Sequence, residues 1–92
     1  MSTAGWTFLT NHTHVLVCIT RDPHATMRAI AEQVGITERA VQRIIGELVL
    51  ERYLTRTRDG RRNTYTLNPA QPLRHPLERG TPLSELLTLL SE

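Results

Sequence analysis

Apolar residues recur at spacings of three and four along most of this chain, give way to alternation near its middle, and return to the helical period at its end. Val15, Leu16 and Ile19 form the first stripe, and they predict a helix beginning near Thr10 or Asn11. Asp22-Pro23 stops it, because the residue before a proline is pushed out of helical geometry. Met27, Ile30, Ala31 and Val34 form a second stripe, with Thr26 placed to cap it and Gly35 to end it. Ile36 fills the turn. Thr37 caps a third helix through Arg52, with Glu38 where the helix dipole favours an acid and Val41, Ile44, Ile45 and Leu48 on its dry side.

After Arg52 the period falls to two. Residues 53–58 and 61–67 read as strands, rich in Thr and Tyr, around an Asp59-Gly60 turn. A two-residue loop there sets Leu54 opposite Tyr65, both able to face the core. Asn68-Pro69 ends the hairpin, and four prolines between 69 and 82 predict an extended crossing segment over 68–81. Thr81 as cap and Pro82 at the first helical position restart a helix over 82–92, with Leu83, Leu86, Leu87 and Leu90 in one stripe. Residues 1–9 read as a loose arm whose Trp6 and Phe8 need burial. The fold class is mainly α with a small β-hairpin (α+β).

Ninety-two residues, 39% of them hydrophobic, suffice for one domain with a small core. No apolar run approaches the roughly 20 residues that span a bilayer. The N-terminal MSTAGWTFLT lacks a basic region and a cleavage site, so export is not expected and a cytoplasmic location is. Cys18 is the single cysteine, which excludes an internal disulfide.

The net charge is only +2, but its placement is uneven. Every basic side chain is Arg, a bias that a GC-rich genome also produces. Between Arg52 and Tyr65 stand five arginines (52, 56, 58, 61 and 62) against Asp59 alone. Such a ribbon suits phosphates. On the wet side of the third helix lie Arg39, Gln42, Arg43 and Gly46. Arg and Gln are the side chains that match guanine and adenine edges in a major groove.

Helix, helix, tight turn, helix and hairpin, carried by IAEQVGITERAVQRIIGELVLERYLTRTRDGRRNTYTL, resemble a winged helix-turn-helix fold. The likeness covers residues 10–67 and is to the DNA-binding domain of the MarR and ArsR classes of bacterial transcription regulator. It implies that Arg39, Gln42 and Arg43 enter the major groove, and that the wing, with Arg58, Arg61 and Arg62, lies on the backbone or minor groove. Thr26, Arg28 and Thr37 would hold phosphates. It implies a C-terminal dimerisation helix too, formed here by Leu83, Leu86, Leu87 and Leu90, with the prolines holding it away from a domain already complete at Leu67. The expected protein is a dimeric repressor of transcription on double-stranded DNA. The alternative is a winged-helix module for protein–protein assembly.

This chain departs from those families in two places. Arg52 stands where a glycine usually separates the third helix from the wing, and residues 37–50 lack the Cys and His of ArsR-class metal sensors. The ligand-binding segments of longer MarR proteins have little room, and no effector is assigned. His14 and Cys18 share a helix face, but two ligands do not close a zinc site, so no metal and no cofactor are expected. No Gly-rich phosphate loop, nucleophile elbow or His-Glu zinc helix occurs, so catalysis is not expected. The carboxylates Glu32, Glu38, Glu47, Glu51 and Glu85 read as solvated helix charges.

Overall fold

A computed structural model describes residues 5–91 of the chain. Helix α1 (Asn11–Arg21), α2 (Met27–Val34) and α3 (Glu38–Leu50) are followed by strands β1 (Leu54–Asp59) and β2 (Arg62–Leu67), then by α4 (Leu83–Leu90). The stripes predicted for the first three helices meet at the centre. Val15, Leu16 and Ile19 of α1, Ile30 and Ala31 of α2, and Val41, Ile44, Ile45 and Leu48 of α3 are all buried.

The helix ends follow local chemistry. Thr26 and Thr37 are N-caps whose hydroxyl oxygens accept the N–H of Ala29 and Ala40, each at 3.0 Å. Caps of this kind contribute about 1 kcal/mol each. Gly35 ends α2 at φ +85°, in the left-handed region. At the end of α3, Arg52 has φ 68° and is the only non-glycine with positive φ among the described residues. The amide of Arg52 donates to Val49 O and that of Tyr53 to Leu48 O, which is the Schellman pattern. Leu48 and Tyr53 are both buried and complete it as an apolar pair. The position thus requires the left-handed backbone that glycine usually supplies, and Arg adopts it.

The hairpin register differs from the expected one. Leu54 pairs with Leu67, Arg56 with Tyr65 and Asp59 with Arg62, so the loop is Gly60-Arg61 rather than Asp59-Gly60. A type I′ turn on Asp59-Gly60 demands positive φ at both residues. Here only Gly60, at φ +64°, has it, as a II′ turn with glycine first requires. The strands slide by two residues without exchanging faces, and two leucines close the base of the ribbon.

The crossing segment does not hold α4 away. The Tyr53 hydroxyl donates to Pro72 O at 2.7 Å, and Gln71 Nε2 donates to Glu51 O at 3.1 Å. Pro72 and Pro82 form an isolated antiparallel bridge. Folded back in this way, α4 packs on α1 and puts Leu83, 1% exposed, and Leu87, 8% exposed, into the common core. Two of the four leucines expected at a subunit interface therefore serve the chain's own interior. The cap of α4 is Pro82, not Thr81, and no side-chain hydrogen bond closes it. Nor does the arm bury its aromatics. Trp6 is 68% and Phe8 92% exposed, stacked edge to face on each other at 5.0 Å; residues 1–4 lie outside the described residues.

Candidate nucleic-acid interface

The burial of α3 alternates as its stripe dictates, with Val41, Ile44, Ile45 and Leu48 inside and Arg39, Gln42, Arg43 and Gly46 exposed. Arg39 makes no ion pair among the described residues, so its guanidinium keeps its donors for an outside acceptor. Arg43 is engaged. Its Nη1 donates to Glu47 Oε1 at 3.3 Å, one helical turn on.

Glu47 is more than a solvated helix charge. Its Oε1 also accepts from His12 Nε2 at 2.7 Å, which ties the first turn of α1 to α3. That hydrogen bond chiefly holds the Glu47 carboxyl below its ordinary range; desolvation opposes it, and the nearby Arg43 charge adds a lesser lowering. The Arg43–Glu47 spacing of four was visible along the chain. The His12 contact joins positions 35 apart and needed the packing of α1 on α3 to form.

Thr26 and Thr37 stand exposed at the heads of α2 and α3. Each hydroxyl oxygen is occupied as an acceptor, yet its own O–H remains a donor suited to a phosphate oxygen. Arg28 is paired with Glu32 at 3.4 Å, both side chains largely in solvent, an arrangement worth little in water. Between the head of α2 and the wing lies a cleft of about 260 Å³, where His24 and Thr26 meet Arg62, Asn63 and Tyr65. The structure thus brings Thr26 and Arg62 to one concavity and leaves Arg28 outside its lining.

Arg58, Arg61 and Arg62 are all exposed but do not share one face. Arg61 is in the turn, Arg58 pairs across from Asn63 and Arg62 across from Asp59. The Arg58 Nε also donates to Gly60 O at 3.1 Å, which steadies the tip. Arg56 lies over the Tyr65 ring, 5.8 Å from its centroid, directly across the ladder. This cation–π pair follows from the shifted register and was hidden from the sequence by it.

Cys18 is buried, its Sγ 3.5 Å from Gln33 Oε1, and burial pushes its thiol above the usual range. His14 turns instead to Asn11, with Nδ1 and Oδ1 3.0 Å apart. Among the described residues no three His, Cys, Asp or Glu side chains gather as a metal site would need, and no helix is long and apolar enough to cross a membrane.

A comparison with curated proteins found no match to this chain. The family model for winged helix-turn-helix DNA-binding domains matches residues 9–55, from just before α1 into the first wing strand. That stretch is just over half the chain and holds the two capped helices and the Arg/Gln face described above. The chain belongs to the winged helix-turn-helix DNA-binding family.

Proposed function

We propose that this protein is a sequence-specific, dimeric repressor of transcription in the cytoplasm, resembling in plan the MarR and ArsR classes. The observation that carries the reading is the exposed Arg39, Gln42 and Arg43 on a helix whose other side is fully buried. A rigid helix presenting donors on one side can enter a major groove and read base edges. Thr26, Arg28 and Thr37 would hold phosphates beside it, and Arg58, Arg61 and Arg62 would follow the backbone or a narrow minor groove. Repression would follow from occupying a promoter against polymerase.

For the dimer, the exposed edge of α4 is the proposed contact. Leu89 is 81% exposed, and Leu86 and Leu90 are half-buried beside it. Leu83 and Leu87 would support that contact from beneath.

Selection of bound sequences from a random duplex pool tests the reading. A palindromic site with half-sites about 34 Å apart is expected of a symmetric dimer. Retention of no sequence class at moderate salt would replace it with the protein–protein assembly module.

A further inference from the structure

Sharing no lining residue with the wing cleft, a second cleft of about 280 Å³ is formed by the start of α1, the end of α3, the crossing segment and α4. Leu16, Leu48, Tyr53, Leu73 and Leu83 line it, all buried or half-buried. Its ionisable lining is Glu47 of α3 and Glu51 at the C-cap of that helix, Arg74 and Glu78 of the crossing segment, and His12 of α1, with the hydroxyls of Thr10 and Thr13 beside them. These three carboxylates face Arg74 in the lining and Arg43 beside Glu47, which leaves one net negative charge before His12 is counted. Arg74 stands 3.7 Å from Glu51, while Glu78 makes no ion pair among the described residues. Apolar walls with a few convergent polar groups are the makeup of a small-molecule site. The volume fits a ligand of modest size.

We infer that this cleft binds small hydrophobic amines, with the apolar body against the leucine floor and the ammonium among Glu47, Glu51 and Glu78. A fatty acid or an aromatic carboxylate would meet net repulsion there. A neutral compound of the same shape would gain the floor and forgo the charge-assisted hydrogen bonds.

The cleft also reaches the DNA face. Glu47 lines it and at the same time holds Arg43 at 3.3 Å and His12 at 2.7 Å. An ammonium that takes the Glu47 carboxylate competes with Arg43 and frees its guanidinium for an outside anion. On the DNA-binding reading proposed above, an amine in the cleft strengthens binding to duplex DNA, and DNA strengthens binding of the amine by the same factor.

The full chain is titrated with phenethylammonium, 2-phenylethanol and phenylacetate, following methyl NMR signals of Leu16, Leu73 and Leu83. The amine should shift those signals and bind about tenfold more tightly than the alcohol, as a charge-assisted hydrogen bond requires. Phenylacetate should leave them in place. The double variant Glu51→Gln/Glu78→Gln, surface changes whose folding is checked by circular dichroism, should lose most of the amine's advantage and keep the alcohol's affinity. Equal binding of amine and alcohol, or an advantage untouched in the double variant, overturns the site. In a second arm, saturating phenethylammonium should tighten the chain's hold on a duplex. A bound amine with unchanged DNA affinity overturns the coupling and leaves the site standing. A chain that ignores DNA with or without the amine overturns the DNA-binding reading, and the NMR arm remains decisive for the cleft.

Discussion

Arg52 holds its backbone at φ 68°, where a side chain with a Cβ costs about 1–2 kcal/mol. Three hydrogen bonds keep it there: its own N–H to Val49 O, that of Tyr53 to Leu48 O, and the Asn68 side-chain Nδ2 to Arg52 O. Arg52→Gly should therefore raise the free energy of unfolding. The gain should be about 0.5–1 kcal/mol, since the freer unfolded glycine offsets part of the relieved strain. Urea denaturation measures it, and a loss of stability would mean that the arginine side chain contributes packing of its own. Gly46 poses the opposite question. It sits inside α3 with nothing within 4 Å of where its Cβ would be, so no neighbour in the chain calls for a glycine. Gly46→Ala should stabilise the helix by about 0.5–1 kcal/mol. If the duplex lies against that face, DNA affinity should fall in the same variant, and movement of the two measurements in opposite directions would mark Gly46 as a contact with DNA. An affinity that rose with stability would place the duplex elsewhere.

At the scale of elements, α3 and the wing divide the proposed labour. Arg39, Gln42 and Arg43 share one exposed helix face, whereas Arg58, Arg61 and Arg62 spread around a two-stranded tip. Phosphate contacts carry no direct sequence information, and base contacts do. Arg61→Ala with Arg62→Ala should weaken binding to all duplexes about equally and flatten the salt dependence by about one unit for each phosphate no longer neutralised. Gln42→Ala should cost roughly 1–3 kcal/mol on the selected site and relax preference at particular base pairs. Quantitative binding across salt and across site variants separates the two, and the reverse pattern would exchange the roles. The helices could be read along the chain because caps, stops and a helical period are local signals. Thr26, Gly35 and Thr37 each act where their chemistry placed them. The wing register could not, since Asp59-Gly60 and Gly60-Arg61 both offer two-residue turns. What selects between them is the closure of Leu54 on Leu67 and the absence of positive φ at Asp59. The His12–Glu47 link and the folding back of α4 are likewise long-range events that no spacing announces.

For the whole molecule, the decisive fact is that one core includes all four helices. Because Leu83 and Leu87 complete that core, replacing either tests folding rather than assembly: large-to-small changes at such positions cost about 2–5 kcal/mol. A test of the dimer must therefore use residues that the protomer does not need. Leu89 is exposed and Leu86 only half-buried, so Leu86→Glu with Leu89→Glu should leave the helical circular dichroism signal close to that of the unaltered chain. If α4 meets its counterpart across a two-fold axis, four buried carboxylates would then face one another without partners, and the double variant should be monomeric by light scattering. It should also lose affinity on a palindromic site while retaining its hold on an isolated half-site. That last comparison matters because a misfolded chain would lose both. A double variant that stays dimeric would remove α4 from the interface and direct attention to Trp6 and Phe8, whose exposed rings stack on each other. Trp6→Ala with Phe8→Ala should then be the change that yields the monomer.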